Sequence, residues 1–230
     1  MAGSRILVVA AHPDDEVLGC GGTVARLTAE GHEVHLAILG EGITSRHERR
    51  ADADRDQIAS LHKQAHAAAA KLGAKSLELF KLPDNRLDTV PLLDVVKMVE
   101  NLVARLQPEI LYTHHAGDLN VDHGIVHRAV LTATRPVAGQ TVREVYAFEV
   151  PSSTEWAFQR AEPVFRPNVF VDIAGTLDRK IAAMECYESE ARKFPHPRSP
   201  EALRALAMRW GSVVGSAAAE AFELIRSIRA

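Results

Sequence analysis

Ala11-His12-Pro13-Asp14-Asp15-Glu16 gathers one imidazole and three carboxylates in a single short stretch. Imidazole and carboxylate are the ligands a hydrolytic zinc site uses, with one coordination position left for water. Such a site also needs a carboxylate that is not a ligand, within reach of that water to take its proton. Adjacent side chains at a chain corner diverge, so Asp14 and Asp15 can divide these roles. The plainer reading is an acidic helix N-terminus with His12 as a turn residue, and a third ligand candidate downstream weighs against it. That candidate lies in Tyr112-Thr113-His114-His115-Ala116-Gly117-Asp118-Leu119-Asn120-Val121-Asp122-His123. His123 can complete a His-Asp-His set with His12 and Asp15, a donor set that suits zinc, though iron, cobalt or manganese could also occupy it.

Both stretches fall where an apolar run gives way to a helical pattern. Arg5-Ile6-Leu7-Val8-Val9-Ala10 reads as a buried strand of a parallel sheet. Val17 to Gly31 reads as a helix closed by glycine, with Pro13 and the acidic residues suited to its first turn. Glu109-Ile110-Leu111-Tyr112 and the pattern Ile125, Val126, Ala129, Val130, Ala133 repeat the arrangement. If both strands are parallel and central, the two corners face one crevice at the C-terminal edge of the sheet. Strands are predicted at 5–11, 33–40, 76–82, 109–113, 143–149 and 168–172. Helices are predicted at 16–30, 48–72, 89–106, 122–134, 175–192, 200–209 and 213–228. This alternation predicts an α/β fold, a Rossmann-like and mostly parallel sheet with helices on both faces, in a single domain spanning 1–230. One of the strands at 143–149 and 168–172 is expected to be an edge or antiparallel addition.

The two motifs together resemble the PIG-L/LmbE-like family of zinc-dependent N-deacetylases, with supporting similarity across most of the chain. The resemblance implies that His12, Asp15 and His123 hold Zn2+, with Fe2+ or Co2+ as alternatives, and that Asp14 is the general base. It implies a small-molecule substrate, an N-acetylglucosamine-type sugar or sugar conjugate, cleaved to acetate and a free amine. Asp122 and Glu16 are expected to support the ligands or the base through hydrogen bonds. Family members carry an Arg after the second strand and an Asp after the third that hold the substrate, and Arg46 and Asp84 match those places. Members of the thiol-cofactor pathways carry His-Pro-Asp-His at the second motif, where the first His stabilises the oxyanion. Here the stretch is Asn120-Val121-Asp122-His123. Asn120 can donate a hydrogen bond but brings no charge. His114, His115 and His127 are the other candidates for that donor, and His127, one turn beyond His123, is also a candidate substrate contact. A sugar deacetylase outside the thiol-cofactor pathways fits this departure better. A metal-dependent hydrolase of a non-sugar amide, such as an acylated amino acid or antibiotic intermediate, is the alternative. A binding module without catalysis fits less well, because the base and the ligand set are intact.

The remaining features are quieter. With 27 basic and 30 acidic residues in 230, a net charge of -3 offers no case for nucleic acid or an anionic membrane. Cys20 and Cys186 have no metal spacing, and together with the lack of an export signal they point to a cytoplasmic location. No apolar stretch reaches the ~20 residues a membrane helix needs. A homo-oligomer is compatible with the fold by analogy only. Gly19, Gly21 and Gly22 sit inside a helix pattern and are read as allowing close packing, His62 and His66 as surface histidines. Arg86 and Asp88 are as readily solvated loop charges as contacts. Phe194-Pro195-His196-Pro197-Arg198-Ser199 is read as a stiff interhelix loop without an assigned role.

Overall fold

The computed structural model describes residues 3–46, 54–160 and 163–229, without the side chains of Arg46 and Arg55. Among the described residues the strands and α-helices run in the order β1 (Arg5–Ala10), α1 (Asp15–Ala29), β2 (Glu33–Gly40), α2 (Arg55–Leu72), β3 (Ser76–Leu82), α3 (Leu92–Leu106), β4 (Ile110–His114), α4 (Val121–Ala133), β5 (Glu144–Phe148), β6 (Val169–Asp172), α5 (Leu177–Met184), α6 (Pro200–Val214) and β7 (Ala219–Ser227). The strands form one sheet in the order β3-β2-β1-β4-β5-β7-β6. Strands β1 to β5 pair in parallel, and β7 runs antiparallel to both β5 and β6. The fold is thus α/β with a mostly parallel sheet.

Alternation along β1 shows why helices cover both faces. Ile6, Val8 and Ala10 point into a core shared with α1, α2 and α5. Leu7 and Val9 point into a second core shared with α3 and α4. The chain winds from β1 outward to β2 and β3, then crosses back to β4 on the other side of β1. That reversal makes the C-terminal edge between β1 and β4 the topological switch point, where open α/β sheets bind ligands.

The segment predicted as a helix at 213–228 is instead strand β7, inserted between β5 and β6. Its Ala- and Glu-rich sequence favours helix locally, but Gly215, at φ 75°, closes α6. Phe222 then pairs with Phe148 in the sheet and is buried there. Tertiary burial overrides propensity. Of the strands expected at 143–149 and 168–172, the latter, β6, lies at an edge, opposite β3, and β7 is the antiparallel addition. The helix predicted at 175–192 ends at Met184, and the one predicted at 200–209 continues to Val214. The start predicted for the second helix at 48 lies outside the described residues; α2 is described from Arg55, with the Asp54 carboxylate accepting from the Asp56 N–H.

Helix α1 is broken at Cys20 (φ -145°, ψ 20°). Glu220 on β7 accepts from the buried N–H groups of Gly22 (2.9 Å) and Thr23 (2.6 Å) beyond the break, as a capping residue would. Lys180 Nζ bridges Glu220 (2.6 Å) and the Leu18 carbonyl (2.8 Å) on the other side of the break. A Cβ on Gly19 would lie 2.2 Å from the Phe148 ring, so glycine lets α1 sit against β5. His62 is half-buried and His66 exposed on α2.

Candidate active site

Both motif corners open into one cavity of about 170 Å³ at the β1–β4 switch point. Asp15 opens α1 and points its Oδ2 back to the His12 N–H at 2.8 Å. Asp14 precedes it at φ 115°, a left-handed conformation that costs a non-glycine residue about 1–3 kcal/mol. Its backbone is held on both sides: its N–H donates to Glu16 Oε2 (3.2 Å), and its carbonyl accepts from Val17 (3.0 Å) and Leu18 (2.9 Å). Asp14 and Asp15 both line the cavity. At the second corner Asn120 caps α4, its Oδ1 accepting from the Asp122 N–H at 2.9 Å. The first turn of α4 then delivers Asp122 and His123.

His12, Asp15 and His123 are the three side chains that cluster as potential metal ligands among the described residues, one donor atom from each lying within 4.8 Å of the others. Asp15 Oδ2 is 3.4 Å from His12 Nδ1 and 3.3 Å from His123 Nε2. Both ring nitrogens of His123 are buried without a well-formed hydrogen bond, although Nδ1 lies 3.1 Å from Asp118 Oδ1. A buried imidazole left this way fits a metal ligand, and the mixed N/O donor set fits zinc or a similar divalent ion. Burial opposes charge on His123, but Asp15 and Asp118 raise it to about 9. Burial acts the same way on His12, and Asp122, Asp15 and Asp84 raise it well above the usual histidine range. Burial raises Asp15, yet His123, His114 and His12 hold it well below the carboxylate range. The cluster favours positive charge beside Asp15, whether from protons or from a cation.

A second layer of carboxylates orients the imidazoles. Asp122 is fully buried; its Oδ2 bonds His12 Nε2 at 2.9 Å and its Oδ1 accepts from the Leu87 N–H at 2.9 Å. Asp84 Oδ1 lies 3.4 Å from the same His12 nitrogen, while its Oδ2 is bound by the Ser45 N–H (3.0 Å) and hydroxyl (2.6 Å). Asp118 faces His123 and is held by Thr154 at 2.5 Å and by Ser153. Glu16, pushed by burial up to about 7, accepts from the Tyr187 hydroxyl at 2.6 Å.

The other predicted residues separate. The side chain of Arg46, which ends the turn Thr44–Arg46, lies outside the described residues. Asp84 and Asn120 line the cavity, but the Asn120 amide is used at both ends, its Nδ2 donating to Asn85 Oδ1 at 2.7 Å. His127 does not line the cavity; its Nδ1 binds the His114 carbonyl at 2.8 Å. His114 is fully buried, its Nε2 accepting from the Ala11 N–H at 2.8 Å, and its ring stacks on His123 with centroids 3.9 Å apart. His115 is engaged by Glu223 and the Pro163 carbonyl, both at 2.7 Å. None of these three histidines lines the cavity.

The loop 194–199, whose sequence suggests no role, supplies a residue of the cavity. Arg198 lines it, and its Nη1 donates to Asp14 Oδ2 at 2.6 Å. Its Nε donates to Ser152 Oγ at 2.7 Å, and Glu190 Oε2 lies 3.4 Å from Nη1. Burial pushes Asp14 well above the carboxylate range, and Arg198 pulls it back. The two prolines around His196 mark a stiff loop, but nothing local connects it to Asp14.

Residues 7–134 match the family PIG-L, GlcNAc-PI de-N-acetylase. A 4-oxalmesaconate hydratase from Pseudomonas putida is 29% identical over 195 residues, covering 78% of this chain and 71% of that protein. A probable N-acetyl-alpha-D-glucosaminyl L-malate deacetylase from Bacillus cereus is 25% identical over 189 residues, covering 81% of this chain and 83% of its own. The crystal structure of an N,N'-diacetylchitobiose deacetylase from Pyrococcus horikoshii superposes with a TM-score of 0.77 at 20% identity, covering 97% of this chain and 84% of that one.

Proposed function

Because the chain belongs to the PIG-L family, we propose that it is a metal-dependent N-deacetylase that hydrolyses the acetamide of an N-acetylglucosamine-type sugar or sugar conjugate. The observation that carries this reading is Asp14, a buried carboxylate outside the ligand cluster, sharing one cavity with His12, Asp15 and His123. His12, Asp15 and His123 would hold the ion, zinc being the best match to their donors. A bound divalent metal supplies a Lewis acid that activates water and polarises the amide carbonyl. Asp14 accepts the proton of the attacking water and returns it to the nitrogen as the C–N bond breaks, leaving acetate and a free amine. Asp122 and Asp118 keep the two imidazoles turned toward Asp15. Asp84, at the cavity wall, is placed to receive a sugar hydroxyl.

The hydratase among the relatives raises a second chemistry, addition of water to a carboxylate substrate. Among the described cavity residues Arg198 is the sole Arg or Lys, and it already faces Asp14 and Glu190. With Asp14, Asp15, Asp84 and Glu190 also in the lining, the described wall is acidic, which suits an uncharged sugar better than a polyanion. The test is product analysis of the metal-loaded protein with N-acetylglucosamine derivatives, acylated amino acids and unsaturated carboxylates. Acetate from the sugars is the expected result. Turnover confined to acyl amino acids would move the function to a non-sugar amide, and hydration of the carboxylates would replace it.

A further inference from the structure

Amide hydrolysis passes through a tetrahedral carbon whose former carbonyl oxygen carries negative charge, and fixed donors aimed at that oxygen stabilise it strongly. His114, His115 and His127 do not line the cavity. His114 Nε2 and His127 Nδ1 bond backbone groups, and His115 is bound on both nitrogens. Asn120 lines the cavity, but its Oδ1 caps the helix, its Nδ2 already donates to Asn85, and the amide brings no charge. We propose that Arg198 is the cationic donor to this oxyanion, a catalytic residue contributed by the loop between α5 and α6.

The geometry supports that role in three ways. Arg198 lines the cavity with its side chain 23% exposed, so substrate can reach it. Its head is fixed before substrate arrives, by Ser152 on Nε and Asp14 on Nη1, while Nη2 has no hydrogen-bond partner among the described residues. Its backbone is fixed too. The Arg198 N–H donates to His196 Nδ1 at 3.1 Å, and Ser199 caps α6 through the Ala202 N–H at 3.1 Å. A preorganised cation costs little reorganisation when charge develops. In the step itself, water's oxygen bonds the carbonyl carbon, its proton passes to Asp14, and the carbonyl π pair moves onto oxygen. The negative charge leaves Asp14 and reappears on that oxygen, with Arg198 donating hydrogen bonds and transferring no proton. When the C–N bond breaks, the pair on oxygen re-forms the carbonyl and Asp14 returns its proton to the amine.

This role rests on the deacetylase reading. Its test is Arg198→Met, followed by acetate release and by binding of a phosphonate analogue of the tetrahedral intermediate. The expected result is a fall in kcat of about 10²–10³ with KM little changed. Phosphonate affinity should fall by a comparable factor, and guanidinium added to the buffer should restore part of the rate. A rise in KM at constant kcat, or phosphonate affinity unchanged while kcat falls, would overturn the role, the latter leaving Arg198 acting only through Asp14. Should Arg198→Met fail to fold, Arg198→Gln, which keeps a donor without the charge, is read by the same criteria. No acetate from the wild-type protein would overturn the deacetylase reading and this role together; wild-type rates from Arg198→Met would overturn the role alone.

Discussion

Residues 11–16 form a tight corner whose groups face one another locally, whereas residues 187–199 reach the same cavity from the far end of the chain. In the corner the reacting groups are close because the backbone is bent at some cost, with Asp14 at φ 115°. In the C-terminal segment no residue is held at positive φ, and its side chains act at a distance. Tyr187 holds Glu16, and Arg198 holds Asp14, across separations of 171 and 184 residues. On the proposed mechanism, one region would carry the proton chemistry and the other would restrain and complete it. Substitutions in the two should therefore fail differently.

The largest effect belongs to the corner. Asp14→Asn should lower turnover by about 10²–10⁴ while metal content stays at the wild-type level. Acetate release and elemental analysis of the same sample read both quantities, and loss of metal would merge the two roles assigned to Asp14 and Asp15. Asp122→Asn should weaken the hold on His12 and cost about 10–100-fold in metal affinity, measured by competition with a chelator. Unchanged affinity would show that the corner orients its imidazole without help.

In the C-terminal segment, Tyr187→Phe removes the hydroxyl that Glu16 accepts and should cost about 1–3 kcal/mol in chemical denaturation, with metal content intact. A loss of turnover like that of Asp14→Asn, without loss of stability, would erase the contrast between the regions. The smallest effect lies outside both. Burial pushes Glu149 up to about 7 from its ordinary 4.5, although Trp210 donates to it at 2.5 Å. Because the folded state holds this proton more tightly, its contribution to stability is full below about pH 4.5 and is lost as pH rises through about 7. Glu149→Gln keeps an acceptor for Trp210 and should remove that share of the decline, read from denaturation midpoints across the window.

Legibility in the sequence followed the range of the interactions. Ile6 to Ala10 announced a strand buried on both faces, and Pro13 with Asp15 and Glu16 announced the helix start, because those signals lie within a turn of one another. The convergence of His123 on His12 and Asp15 required only that β1 and β4 be parallel neighbours, as they are. Strand β7 was hidden because Ala217 to Ala221 favour helix until Phe222 is drawn between strands. Arg198, Glu190 and Tyr187 were hidden for a related reason: their partners are set by tertiary packing, and no local spacing encodes it. Asp118 stands within the second motif, yet a carboxylate behind a ligand looks like any loop acid until the imidazole is seen beside it.

Whether a bound metal and Asp14 together carry the chemistry is decided by titrating zinc into metal-stripped protein and following acetate release from an N-acetylglucosamine derivative. Activity should rise from zero and saturate at one zinc per chain in the wild type, and stay near zero in Asp14→Asn. Acetate release that persists without metal, or that Asp14→Asn retains in full, would contradict the proposed mechanism.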